Sequence, residues 1–97
     1  MIVRADLPRG LQAAQVIHAA GESSPGQLAP GTHAICLVVP DENALRALAN
    51  RMTSAAIAFV GIVETDAPHT GELTAIGCMP ARKEVLRRLL SSIPLLK

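Results

Sequence analysis

Two short polar sets in this sequence have the residue types for hydrolytic chemistry. The first is Gln15 with His18, three positions apart in an Ala-rich segment. An imidazole titrates near neutrality, so a histidine there can pass a proton. A glutamine one turn earlier can orient a water or a carbonyl group. The second set lies in Thr65–Gly71, which reads Thr-Asp-Ala-Pro-His-Thr-Gly. Asp66 could polarise a water there, and Thr70 could hydrogen-bond a substrate. Each residue also has a plain alternative. Gln15 and His18 could be polar helix surface, and Asp66 could close an Asx turn. Asp66, His69 and Glu72 also have the types of a metal set. Turn chemistry and exposed loop polarity explain that trio better, so no metal or other cofactor is expected.

The elements that must carry these residues follow from periodicity and breakers. Met1–Ala5 reads as a first strand, ended by the turn Asp6-Leu7-Pro8-Arg9-Gly10. Residues 11–22 read as a helix. On a 100° wheel Ala13, Val16, Ile17 and Ala20 share one side, the expected core side. Leu11, Gln15, His18 and Glu22 share the other, as an expected polar stripe. Gly21–Gly31 is rich in Gly and Pro and reads as a loop. Thr32–Val39 is a near-continuous apolar run, as for a strand covered on both faces. Asp41 is placed as an N-cap. The helix after it has Leu45, Leu48, Ala49 and Met52 at i, i+3, i+4 and i+7. Ile57–Glu64 and Glu72–Cys78 read as two more strands. A last helix follows Pro80, with Val85, Leu86, Leu89, Leu90 and Ile93 as its apolar positions. The order β-α-β-α-β-β-α predicts an α/β domain with helices on both faces of a sheet. The first three strands are expected to be parallel, and the short third connection allows the fourth to run antiparallel.

With 97 residues the chain makes one domain, residues 1–97. Phe59 is its only aromatic residue. That argues against base-stacking platforms for single-stranded nucleic acid and against aromatic cages for cations. The net charge of +1 gives no global field for a polyanion. The distribution is uneven: residues 81–97 hold Arg82, Lys83, Arg87, Arg88 and Lys97 against Glu84 alone. A solvated helix face explains this basic end, and contact with phosphates is the sharper alternative. Cys36 and Cys78 have no metal spacing and are expected as free buried thiols in a cytoplasmic setting. No apolar run is long enough for a membrane span.

Three pieces together resemble the archaeal/eukaryotic-type peptidyl-tRNA hydrolase family. They are Val3-Arg4-Ala5-Asp6-Leu7, then Ala13-Ala14-Gln15-Val16-Ile17-His18-Ala19-Ala20, and finally Asp66-Ala67-Pro68-His69-Thr70 followed by Thr74-Ala75-Ile76-Gly77-Cys78-Met79-Pro80. The similarity covers nearly the full length. It implies a three-layer α/β/α fold with a four-stranded mixed sheet, order 2-1-4-3, strand 4 antiparallel. It implies hydrolysis of the ester between a peptide and tRNA, with no cofactor. Carried over by position, His18, Asp66 and Thr70 would be catalytic. Gln15, Thr74, Arg9 and Asp6 would bind substrate. Peptidyl-tRNA would be the partner, and a homodimer is expected because small members of the family commonly pair.

The chain departs from the family pattern before the first helix. Members carry a functional lysine two positions ahead of the Ala-Ala-Gln; here that position is Leu11, and the basic turn is cut down to Arg9 and Gly10. A lysine supplies a point charge for a phosphate or a developing oxyanion, and a leucine supplies neither. Three readings therefore stay open: a peptidyl-tRNA hydrolase, a non-catalytic binding or dimeric scaffold, and a hydrolase for a small ester or amide.

Overall fold

A computed structural model describes all 97 residues. The order is β1 (Ile2–Arg4), α1 (Arg9–Ser23), β2 (Leu37–Val39), α2 (Glu42–Ser54), β3 (Phe59–Val63), β4 (Leu73–Cys78) and α3 (Lys83–Leu90). The sheet order is β2-β1-β4-β3. β1 and β2 are parallel, while β4 runs antiparallel to both β1 and β3. This is the expected four-stranded mixed sheet of order 2-1-4-3.

Several segments are shorter than the sequence reading. The expected strand Thr32–Val39 is a strand only over Leu37–Val39, because β1 offers just three residues for it to pair with. The outer edge of β2 is covered by the chain's end: Val38 N–H donates to Pro94 O at 2.9 Å and Leu96 N–H to Cys36 O at 2.9 Å. Such cover blunts an edge that would otherwise invite another strand.

The larger core lies on the α2 side of the sheet. Ile2, Leu37, Val39 and Ile76 meet Leu45, Leu48 and Met52 there, with Leu89 and Leu90 from α3. The helical spacing of the three α2 residues dictates that face. Asp41 caps the helix as expected, accepting from Ala44 N–H at 2.9 Å. The second core is smaller: Val3, Ile62 and Ala75 pack against Ala19 of α1. Cys36 and Cys78 are free and half-buried, and pack against opposite cores. Burial pushes both thiols above their ordinary range.

The face of α1 corrects the wheel. Gln15, Ala19 and Ser23 are buried, whereas Ile17 is 71% exposed. Of the expected core side, Ala13 and Ile17 are thus turned outward while Val16 and Ala20 are half-buried, and Gln15 is not on an exposed stripe. The reason lies in β4. A Cβ on Gly77 would sit 2.3 Å from Ala19 O and 2.7 Å from Ser23 Oγ. Gly77 therefore lets the backbone of α1 come down onto the strand. At that distance only small side chains fit between helix and sheet, and Ile17 has no room there. A wheel scored on hydrophobicity alone misses a face selected for size.

Candidate active site

The site is built at the end of the sheet where β1 stops and β4 begins. Pairing between β3 and β4 shifts there: Ile62 faces Ala75, but Val63 faces Leu73, so Thr74 is the extra residue of a bulge. Bulges re-aim side chains and interrupt the ladder. The freed groups of Leu73 find other partners. Its N–H donates to Glu42 Oε2 at 2.8 Å, and its carbonyl accepts from Arg4 Nη1 at 3.1 Å.

Arg4 organises this corner. Its side chain is buried, so its charge needs close partners. Nε and Nη2 donate to the two oxygens of Asp6 at 2.9 and 2.8 Å, and Nη1 donates to Glu72 Oε1 at 2.8 Å. The bidentate fork suits the planar guanidinium. The bonds from Asp6, ahead of the desolvation that opposes them, raise the Arg4 pKa. Arg4 in turn holds the carboxyls of Asp6 and Glu72 below their usual range, and His69 adds to the effect on Glu72. His69 Nδ1 lies 3.1 Å from the same Glu72 oxygen. Both oxygens of Asp6 are therefore engaged inside the protein. No three Asp, Glu, His or Cys side chains converge as a metal set.

Gln15 and Glu64 form the second element. Gln15 Nε2 donates to Glu64 Oε2 at 2.6 Å, from the buried face of α1 to the end of β3. The other oxygen, Glu64 Oε1, accepts from Thr65 N–H at 2.8 Å and Asp66 N–H at 3.2 Å. One carboxyl group thus ties α1 to the first residues of the 64–72 loop. Gln15 Oε1 is buried and accepts no hydrogen bond from another protein group. The loop is closed further by Gly71 N–H to Glu64 O at 2.8 Å, and Gly71 has a φ of 81° that a side chain would resist.

The remaining candidates sit around this frame. Asp66 and Thr70 are exposed, and neither side chain is hydrogen-bonded within the protein, so both can meet a ligand. His18 is exposed on α1 and stands outside the Gln15–Glu64 pair. Thr74 is fully buried and its hydroxyl donates to Ile62 O at 3.1 Å, holding the bulge. Arg9 opens α1, exposed and without an ion pair. Leu11 is half-buried in the first turns of that helix. Gln12, two positions after Gly10, pins the preceding turn by donating to Ala5 O at 3.2 Å and Leu7 O at 2.8 Å.

The family model for peptidyl-tRNA hydrolase PTH2 matches residues 1–96. The chain belongs to the peptidyl-tRNA hydrolase PTH2 family. No curated protein sequence matches it. The PTH2 assignment accounts for the topology, since the order 2-1-4-3 is what the resemblance implied. It leaves Arg4, Glu64 and Glu72 as residues that the sequence motifs did not mark as parts of the site. Arg4 carried a signal, because an arginine inside an apolar strand needs carboxylate partners. Glu64 carried none.

Proposed function

We propose that this chain is a peptidyl-tRNA hydrolase, cleaving the ester between a peptide and tRNA. The observation that carries the reading is the match to the PTH2 family over residues 1–96. The exposed Asp66 and Thr70 lie on a loop tied to α1, which agrees with it.

In this reading Asp66 and His18 activate or orient the attacking water, which adds to the ester carbonyl. The bond to the ribose oxygen then breaks, and a proton returns to that oxygen. Thr70 hydrogen-bonds the substrate. Asp6 acts through Arg4, keeping the start of β4 in place, and Thr74 does so through the bulge. The cations of α3 (Lys83, Arg87 and Arg88) and Arg82 just before it are exposed and without ion pairs, and with Arg9 they meet tRNA phosphates. A cytoplasmic setting, where such a substrate would be met, and pairing of two copies are part of the proposal. No helix is long and apolar enough to cross a membrane.

Leu11 favours a second reading, a relative that kept the fold and lost the chemistry. Hydrolysis of an N-blocked aminoacyl-tRNA by the native chain and by Leu11→Lys separates the two. Activity in the native chain supports the first, and activity in the variant alone supports the second. Inactivity in both, with the fold intact, removes tRNA as substrate.

A further inference from the structure

We infer that Glu64 is a positioning residue, the joint that holds Asp66 in place against α1. The inference rests on the hydrolase reading for its kinetic consequence, and on geometry for the joint itself.

Three donors converge on this one carboxyl group. Gln15 Nε2 reaches it at 2.6 Å from a helix 49 positions away in the chain. The N–H groups of Thr65 and Asp66 reach its other oxygen at 2.8 and 3.2 Å. The Asp66 carboxylate itself touches nothing in the protein, so its direction is set by its backbone. The Glu64 oxygen holds the N–H side of that backbone, and His69 N–H holds its carbonyl at 3.2 Å. Loops are the natural place for reactive groups, provided that a rigid element aims them. Here the rigid element is the buried face of α1, and Glu64 transmits its position.

Gln15 bears on the same point. Its side chain is buried, and its Nε2 is the donor that reaches the Glu64 carboxyl from α1. A methionine of similar shape would fill the same space and remove the donor to Glu64 Oε2.

Three variants test the joint: Glu64→Ala, Glu64→Gln and Gln15→Met. Each is measured on an N-blocked aminoacyl-tRNA, and by amide hydrogen exchange. Glu64→Ala is expected to lower kcat by about tenfold to a hundredfold with KM little changed, because a misaimed group costs rate rather than binding. Exchange at the Thr65 and Asp66 amides is expected to accelerate, while exchange in α2 stays as in the native chain. Glu64→Gln recovers most of the rate, since its carboxamide oxygen accepts from both amides and its NH2 donates to a turned Gln15 amide. Gln15→Met keeps the side-chain volume, removes the donor to Glu64 Oε2, and is expected to lower kcat and speed exchange at the same two amides. Native exchange at both amides in Glu64→Ala and in Gln15→Met would overturn the joint. So would loss of protection throughout the molecule, which marks an ordinary structural residue. A native chain without activity would remove the hydrolase reading, and the exchange measurement would still decide on the joint.

Discussion

Arg4 and Glu72, 68 positions apart in the chain, meet at 2.8 Å where β1 ends and β4 begins. This contact joins the entry to α1 with the exit of the Asp66 loop. It makes the corner of the sheet a single electrostatic unit of Arg4, Asp6, Glu72 and His69. Removing the cation leaves two carboxylates beside a buried space. Both are partly exposed and can rehydrate, so the loss falls short of that for a fully buried pair. Arg4→Met is expected to cost about 2 kcal/mol, or roughly a 10 °C fall in Tm. Thermal unfolding checks this, and an unchanged Tm contradicts it.

The same corner governs the acid limit of stability. Asp6 and Glu72 are held below their usual pKa by Arg4, so the unfolded chain binds more protons than the folded one in that window. Their contribution is complete above the unfolded carboxylate range, about pH 4, and is lost as pH falls through the lower folded values. Urea unfolding between about pH 5 and pH 2 should show stability falling as the solution becomes more acid. In Asp6→Asn the slope is expected to be shallower. An identical slope in that variant would contradict the assignment.

Gly77 controls how close α1 lies to the sheet. Gly77→Ala forces a Cβ to within 2.3 Å of Ala19 O, a backbone atom that cannot turn aside. The helix must move off β4, and the Ala19–Ala75 packing opens. A loss of about 3 kcal/mol is expected, at the upper end of ordinary overpacking. Denaturant unfolding measures it, and a loss under about 0.5 kcal/mol, typical of a surface change, would show that α1 yields freely.

The α3 cations give a salt-dependence prediction. Log K for tRNA binding should fall linearly with log salt, with a slope of roughly 0.7–0.9 per phosphate neutralised. Arg87→Gln with Arg88→Gln is expected to lower that slope by about 1.5 if both arginines meet phosphates. An unchanged slope would make this face mere solvated helix.

Much of the fold could be read locally. Asp41 announced the start of α2, and Leu45, Leu48 and Met52 marked its buried side by spacing alone. The strand–helix alternation gave the element order, and the resemblance supplied the strand order. Gln15 shows where local reading stopped. It shares the buried face of α1 with Ala19 and Ser23, which lie against Gly77 of a different element through a backbone approach that no helical wheel contains. The exposed polar loop at Asp66 and Thr70 could be read from its turn residues. Glu64 could not, because its role appears only when β3 ends beside the buried face of α1. Pairs such as Arg4–Glu72 are set by which strands become neighbours, so their partners are fixed by topology and not by proximity in sequence.

The central claim is that the chain, with leucine at position 11, still hydrolyses peptidyl-tRNA. The most direct measurement is the initial rate of peptide release from an N-blocked aminoacyl-tRNA, by the native chain and by Asp66→Asn at equal concentration. Release by the native chain is predicted, with a loss of about a hundredfold or more in Asp66→Asn, the order expected for removing a group that acts on the attacking water. Equal rates for the two proteins, or no release by a correctly folded native chain, would contradict the claim.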